Sequence, residues 1–145
     1  MTNKAHLTAI SRNSPSVPMR RLNKAGRLGA KRMLDFGCGR GLDATTYGLD
    51  KYDPHYYPEK DWKVAKYDVI TCNYVLNVIP TKEERTAVIE DIRNLLTKGG
   101  IAYITVRRDI KTQGYTKRGT FQENITLNLA KLWENSSYCT YVLHY

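Results

Sequence analysis

An α/β fold is predicted here, with a mostly parallel, doubly wound sheet that is trimmed after its second strand and finished by an antiparallel hairpin. Three observations predict it. A short apolar run, Met33-Leu34-Asp35-Phe36, breaks into glycines at alternate positions, Gly37, Gly39 and Gly41, as a strand does when its chain must turn tightly beneath a ligand. Two further apolar runs, at 67–73 and 101–106, flank a capped amphipathic helix, the signature of a parallel crossover. Two alternating segments, at 120–127 and 138–143, close the chain as a hairpin joined by a longer polar loop. A chain of 145 residues makes one domain that buries roughly 68–70% of its unfolded surface. It divides into a basic arm at 1–14, a short helix or loop at 15–31 and the core at 32–145.

The first 14 residues are polar and lack a period, so they read as a mobile arm that orders on a partner. Ser16 can cap a short helix through Met19, Leu22 and Ala25 that Gly26 ends, leaving Arg20, Arg21 and Lys24 to solvent or substrate. The first strand, about 32–36, leads through the glycine loop to a brief helix at 42–47. Only a dozen positions separate Gly41 from Asp53, so this crossover is compressed and its second strand, at 49–52, follows at once. Asp53-Pro54 stops that strand with a carboxylate placed to reach the hydroxyls of a bound ribose. The stretch from 55 to 66 has no apolar run, so the next strand and its helix are reduced or lost and the second strand becomes an exposed edge. Either the arm or a second copy of the chain, in a homodimer, is expected to cover it. Thr81 and Glu84 form a capping box for the helix whose stripe is Val88, Ile89, Ile92, Leu95 and Leu96 and which Lys98-Gly99-Gly100 closes.

The formal net charge of +9 is unevenly placed. Residues 1–32 hold a local +8 with no acid, and residues 107–118 hold +4 from Arg107, Arg108, Lys111, Lys117 and Arg118 against Asp109. Such flanks suit DNA or RNA, and equally a solvated basic tail. The three cysteines, Cys38, Cys72 and Cys139, are odd in number and widely spaced, which fits neither a disulfide framework nor a zinc site. A reducing cytoplasm, no metal and no membrane segment are expected.

The loop itself limits the ligand. Leu42 stands where the dinucleotide fingerprint has its third glycine, and a carboxylate at Asp35 would repel a pyrophosphate but attract an ammonium group. S-adenosylmethionine carries that ammonium. Asp35 could instead fix the loop, and Asp53 could be a turn cap before Pro54. Tyr47, Tyr52, Tyr56, Tyr57 and Trp62 either fill a thin core or wall the adenine. His55 is a general base or polar surface, and Asn77 is structural.

With these pieces in order the chain resembles the class I S-adenosylmethionine-dependent methyltransferases, over about residues 32–145. Leu34-Asp35-Phe36-Gly37-Cys38-Gly39-Arg40-Gly41 is similar to the family's first motif, and Tyr52-Asp53-Pro54 to its second. The run from Asp68 to Ile79 is similar to the strand that enters the catalytic region. More closely, Tyr52-Asp53-Pro54-His55-Tyr56 and Tyr74-Val75-Leu76-Asn77-Val78-Ile79 resemble methyltransferases of DNA phosphorothioation clusters and small phage-encoded relatives. The resemblance implies a minimised Rossmann-like sheet and S-adenosylmethionine as cofactor, with S-adenosylhomocysteine as product. Asp35, Gly37, Cys38, Gly39, Gly41, Asp53, Pro54 and Asn73 would hold the cofactor, and Asn73, Tyr74 and Arg107 would serve the transfer. Asp61 or a backbone group would replace the acid of the lost third strand. The Asn-Pro-Pro-Tyr tetrapeptide of base-amine enzymes is replaced by Asn73-Tyr74-Val75-Leu76. A nucleic acid is the expected acceptor, in the cytoplasm of a cell or of a phage host. The alternatives are a small-molecule or protein acceptor, or a module that binds the cofactor without turnover.

Overall fold

The computed structural model describes residues 5–9, 13–59 and 66–145. Ala5–Thr8 is one 3-10 turn. Helix α1 (Val17–Lys24) follows Ser16, with Pro18 in the first turn, where no intrahelical amide bond is needed. Met19 and Leu22 are its fully buried face, each stabilising the fold by about 1.5–3 kcal/mol. Then come β1 (Met33–Phe36), α2 (Leu42–Tyr47), β2 (Asp50–Tyr52) and β3 (Tyr67–Asn73). A 3-10 turn, Leu76–Val78, leads to α3 (Lys82–Leu95), which runs directly into β4 (Leu96–Arg107). A small hairpin of β5 (Gly114–Tyr115) and β6 (Phe121–Gln122) precedes β7 (Ala130–Glu134) and β8 (Tyr138–His144).

The main sheet has the order β2-β1-β3-β4-β8-β7. Strands β1 to β4 pair in parallel, and β8 and β7 add antiparallel. Among the described residues no strand stands between β2 and β3, so β2 is the sheet's edge, as the missing apolar run predicts. Strand alternation divides the core. Leu34, Phe36, Ile70, Cys72 and Ile104 face α3 with Ile92 and Leu95, while Met33, Val69 and Tyr103 face α1 with Met19 and Leu22. The α3 cap is as predicted: Glu84 N donates to Thr81 Oγ1 at 3.2 Å, and the Thr81 hydroxyl donates to Glu84 Oε1 at 2.7 Å.

Two expectations need correction. The helix stops at Leu95, because Leu96 already pairs with Tyr67 as a strand residue and Gly99, at φ +87°, lies in a bulged part of that strand. The partner of β8 is Ala130–Glu134, not 120–127. Asn135 makes the turn by accepting at Oδ1 from the amides of Ser137 and Tyr138, at 2.8 and 2.9 Å, which sets a short connection in place of the long loop. Arg21 is exposed, as expected of that helix face. Its guanidinium lies 4.3 Å from the Trp133 ring centroid and donates to Tyr138 Oη at 3.1 Å.

Asn77 ties three segments together, as its structural reading expects. It is 1% exposed. Its Oδ1 accepts from Arg107 N at 2.7 Å, and its Nδ2 donates to Glu123 O at 2.7 Å and to Arg107 O at 3.3 Å. The turn after β3, the end of β4 and the strand leaving β6 are thereby fixed to one another. Asn77→Ala strands a buried amide and two carbonyls, so it should lower the unfolding free energy by about 2–3 kcal/mol. Urea denaturation measures this, and an unchanged midpoint would show that the three segments hold without it.

Candidate functional site

A cleft of about 1360 Å³ opens at the carboxyl ends of β1 and β3, lined by the glycine loop, Asp35, Asp53, Asn73, Tyr74 and Arg107. This is where parallel sheets place ligands. The loop is built by close approach. Gly37, at φ +81°, leaves so little room that an added Cβ would lie 2.3 Å from Val75 Cγ2. The amides of Gly37 and Cys38 both donate to Tyr52 O, at 2.7 and 2.9 Å, which welds the loop to the end of β2. Gly41, at φ +90°, starts α2.

Asp53 holds the same loop from the other side. Its Oδ1 accepts from Gly39 N at 3.1 Å, and its Oδ2 accepts from the amides of His55 and Tyr56, each at 3.0 Å. Both readings of Asp53 meet here, since a carboxylate that caps its own turn also borders the cleft and keeps lone pairs for further donors. Pro54 follows it on the cleft wall.

Asp35 is 3% exposed and accepts from Thr71 Oγ1 at 2.9 Å. Burial pushes its carboxyl up to about 7, against the Thr71 hydrogen bond, with the nearby charges of Asp43 and Asp53 adding to the rise. The Cys38 thiol is half-buried and raised to about 12 by burial, with Asp35 and Asp53 contributing, so it lines the cleft as a neutral group.

Asn73 stands out among the described residues. Both its Nδ2 and Oδ1 are buried with no hydrogen-bond partner, and the residue lines the cleft. An orphaned amide costs about 1–3 kcal/mol for each group left unpaired, so a ligand that offers one acceptor and one donor is the natural complement. Tyr74, next in the chain, has φ +61°, a left-handed backbone that costs a residue other than glycine roughly 1–2 kcal/mol. Arg107 reaches the cleft rim while its Nε donates to Asp109 Oδ1 at 3.0 Å.

The loop, Asp35, Asp53, Pro54, Asn73, Tyr74 and Arg107 are thus brought to one cleft. The aromatic cluster is divided. Tyr52 is core, Tyr56 lies under Arg40 at 5.4 Å, and Tyr57 lines the cleft with Lys51 5.0 Å from its ring centroid. Trp62 and Asp61 lie outside the described residues, as do Lys4 and Arg12 of the arm. His55 borders the cleft and stacks on His6 at 4.0 Å, so that the turn at Ala5–Thr8 forms part of the wall.

Sequence reasoning missed the anchor between α1 and α2. Asp43 accepts from Ser16 N at Oδ1 and from Ser16 Oγ at Oδ2, both at 2.7 Å, in a buried contact that borders the cleft. Ser16 therefore serves Asp43 rather than its own helix, to which its side chain makes no cap bond. The available signal was Asp43 itself, an acid in the first turn of a helix two residues past Gly41. Also missed was the far wall of the cleft, Thr116, Arg118 and Gln122, which the sequence shows only as a basic stretch.

The site can now be set beside known proteins. TehB from Haemophilus influenzae superposes with a TM-score of 0.59 at 13% identity, over 90% of this chain and 62% of that one. The magnesium protoporphyrin IX methyltransferase ChlM from Synechocystis PCC 6803, with SAH bound, gives 0.53 at 15% identity, over 86% and 78%. CalS10, an amino pentose methyltransferase from Micromonospora echinaspora with SAM bound, gives 0.49 at 21% identity, over 78% and 56%. At these identities the likeness to TehB and ChlM shows the fold, and the chain spans less than two thirds of both TehB and CalS10. No curated protein matches the sequence. A family model for a methyltransferase domain, however, matches residues 10–138, nearly the whole chain, and on that match this chain belongs to the methyltransferase domain family.

Proposed function

We propose that the chain is an S-adenosylmethionine-dependent methyltransferase whose acceptor is a nucleic acid. The observation that carries the acceptor half is the Asn73 amide, with donor and acceptor both unpaired and buried at the cleft. A primary amide matches the paired donor and acceptor on a nucleobase edge. The cofactor half rests on the family and on fit. Gly37 has to be glycine to clear Val75, and the bare backbone of the loop it turns lines the cleft, where the amino acid portion of the ligand would lie. Asp35 supplies charge for its ammonium, and Asp53 supplies lone pairs for ribose hydroxyls. The closer resemblance, to phage-encoded and phosphorothioation-cluster enzymes acting in a cytoplasm, belongs to the same reading.

S-adenosylmethionine, when bound, supplies a methyl group on a sulfonium that is already activated for displacement. The chain's task is then alignment and exclusion of water. Asn73 fixes the acceptor's edge and Tyr74, held by its strained backbone, presents its ring at the same point. Arg107 offers charge at the rim.

Labelled S-adenosylmethionine incubated with DNA, RNA and cell extract tests the proposal. Label in nucleic acid is expected, label in protein or small molecules alone would refute the acceptor, and saturable cofactor binding with no transfer would make the chain a binding module. Asp53→Ala should weaken S-adenosylhomocysteine binding more than tenfold, about 1.4 kcal/mol; unchanged calorimetric affinity would refute the ribose role.

The Asp35 carboxyl predicts a pH dependence. With its value near 7, the group is largely neutral below that pH and ionised above it, and an ammonium ligand favours the ionised form. Affinity for S-adenosylhomocysteine should therefore fall as pH drops below about 7, towards tenfold per pH unit, and level off above it. Calorimetry across that range should show the slope in the native chain and a flat profile in Asp35→Asn. A native chain without slope would remove Asp35 from the ligand.

A further inference from the structure

The cleft is larger than the roughly 300–1,000 Å³ of a typical small-ligand pocket, at about 1360 Å³, and its far wall is the β5–β6 hairpin. That hairpin is rigidly presented. Gly119 N donates to Thr116 O at 3.0 Å, closing a tight turn with Lys117 and Arg118 at its corners, and the Thr116 and Thr120 hydroxyls lie 2.6 Å apart beneath it. Its base is fastened by Asn124, which donates to Ile110 O and accepts from Ile110 N, each at 3.0 Å. Asn77 binds the strand that leaves it.

Two properties of this hairpin point outward. Tyr115 is 69% exposed, yet its ring is steadied by the edge of Phe121 at 5.3 Å. Part of the charge around it is uncompensated. Of the basic residues at 107–118, Arg107 is paired with Asp109 and Arg108 with Glu134, each at 3.0 Å. Lys111, Lys117 and Arg118 make no ion pair among the described residues. Toward the other end, the guanidiniums of Arg21, Arg27 and Arg32 lie over the rings of Trp133, Tyr103 and Tyr67, while Arg20, Lys24 and Lys31 are exposed.

We propose that the β5–β6 hairpin reads a single-stranded nucleic acid, stacking an unpaired base on Tyr115 and setting Lys117 and Arg118 against the adjoining phosphates. The proposal deepens the methyl-transfer reading above and rests on it for the direction of the strand toward the cleft. Exposed rings stack on unpaired bases of any sequence. The single strand is preferred over a duplex because the acceptor must reach Asn73 inside the cleft, and a base already free of pairing enters at least cost.

Fluorescence anisotropy with a short labelled single strand and with its duplex tests this, alongside calorimetry with S-adenosylhomocysteine. Tyr115→Ala should weaken single-strand binding about tenfold, and Tyr115→Phe should restore it. The Lys117→Ala, Arg118→Ala double variant should lower the slope of log affinity against log salt by about 1.4. Both Tyr115 variants should keep the native affinity for S-adenosylhomocysteine. Tighter binding of the duplex, native binding by Tyr115→Ala, or no oligonucleotide binding by the native chain would overturn the proposal. A native chain that binds the oligonucleotide but not S-adenosylhomocysteine would overturn the cofactor reading and leave the hairpin's role standing.

Discussion

The cleft depends on how closely the glycine loop lies against its neighbours. At Gly37 the backbone passes so near Val75 that a single added carbon would sit at 2.3 Å, far inside contact distance. That approach lets the Gly37 and Cys38 amides share the Tyr52 carbonyl and lets Gly39 reach Asp53. The loop is thus bound to β2 by hydrogen bonds at three successive points, in a sheet where β2 has no outer neighbour among the described residues. Those bonds hold the edge strand in place and shape the site in the same stroke.

A second constraint is the polar seam on the α1 face. Asp35 bonded to Thr71, Asn73, and Thr105 bonded to Thr140 at 2.7 Å form a row across β1, β3, β4 and β8 where the sheet nears the cleft. Ser16 and Asp43 close one end of it. Buried polar groups of this kind are tolerated when each is paired. Among the described residues every pair in the row is satisfied except Asn73, whose unpaired amide lies where the seam meets the cleft.

Much of this was legible in the sequence, and for local reasons. The glycines at alternate positions, the Thr81 and Glu84 cap, and the apolar run of β3 each report on structure within a few residues of themselves, so β1, α2, β2 and β3 emerged with nearly correct bounds, whereas β4 begins at Leu96, ahead of its apolar run. What failed was non-local. The alternation at 120–127 resembles a strand, yet only Phe121 and Gln122 pair, because Asn77 and Asn124 hold the rest by side-chain bonds that no period encodes. Arg21 is exposed, as its helix face suggested, yet no local pattern shows that its guanidinium lies over the ring of Trp133, distant in sequence. At the site, Asp35, Asp53 and Asn73 carried recognisable chemistry, whereas Ser16 met Asp43 only through the packing of α1.

The chain's cysteines bear on how it can be handled. Cys72 and Cys139 are buried, Cys38 is half-buried, and burial raises all three thiols. Thiol reagents attack the thiolate, which is scarce at such positions near neutral pH. A cysteine introduced at an exposed corner such as Lys117→Cys, with Arg118 beside it to favour ionisation, would be the most reactive thiol in the chain. The native sequence is therefore already a quiet background for attaching a single spectroscopic label, with no protective substitution of its own cysteines required.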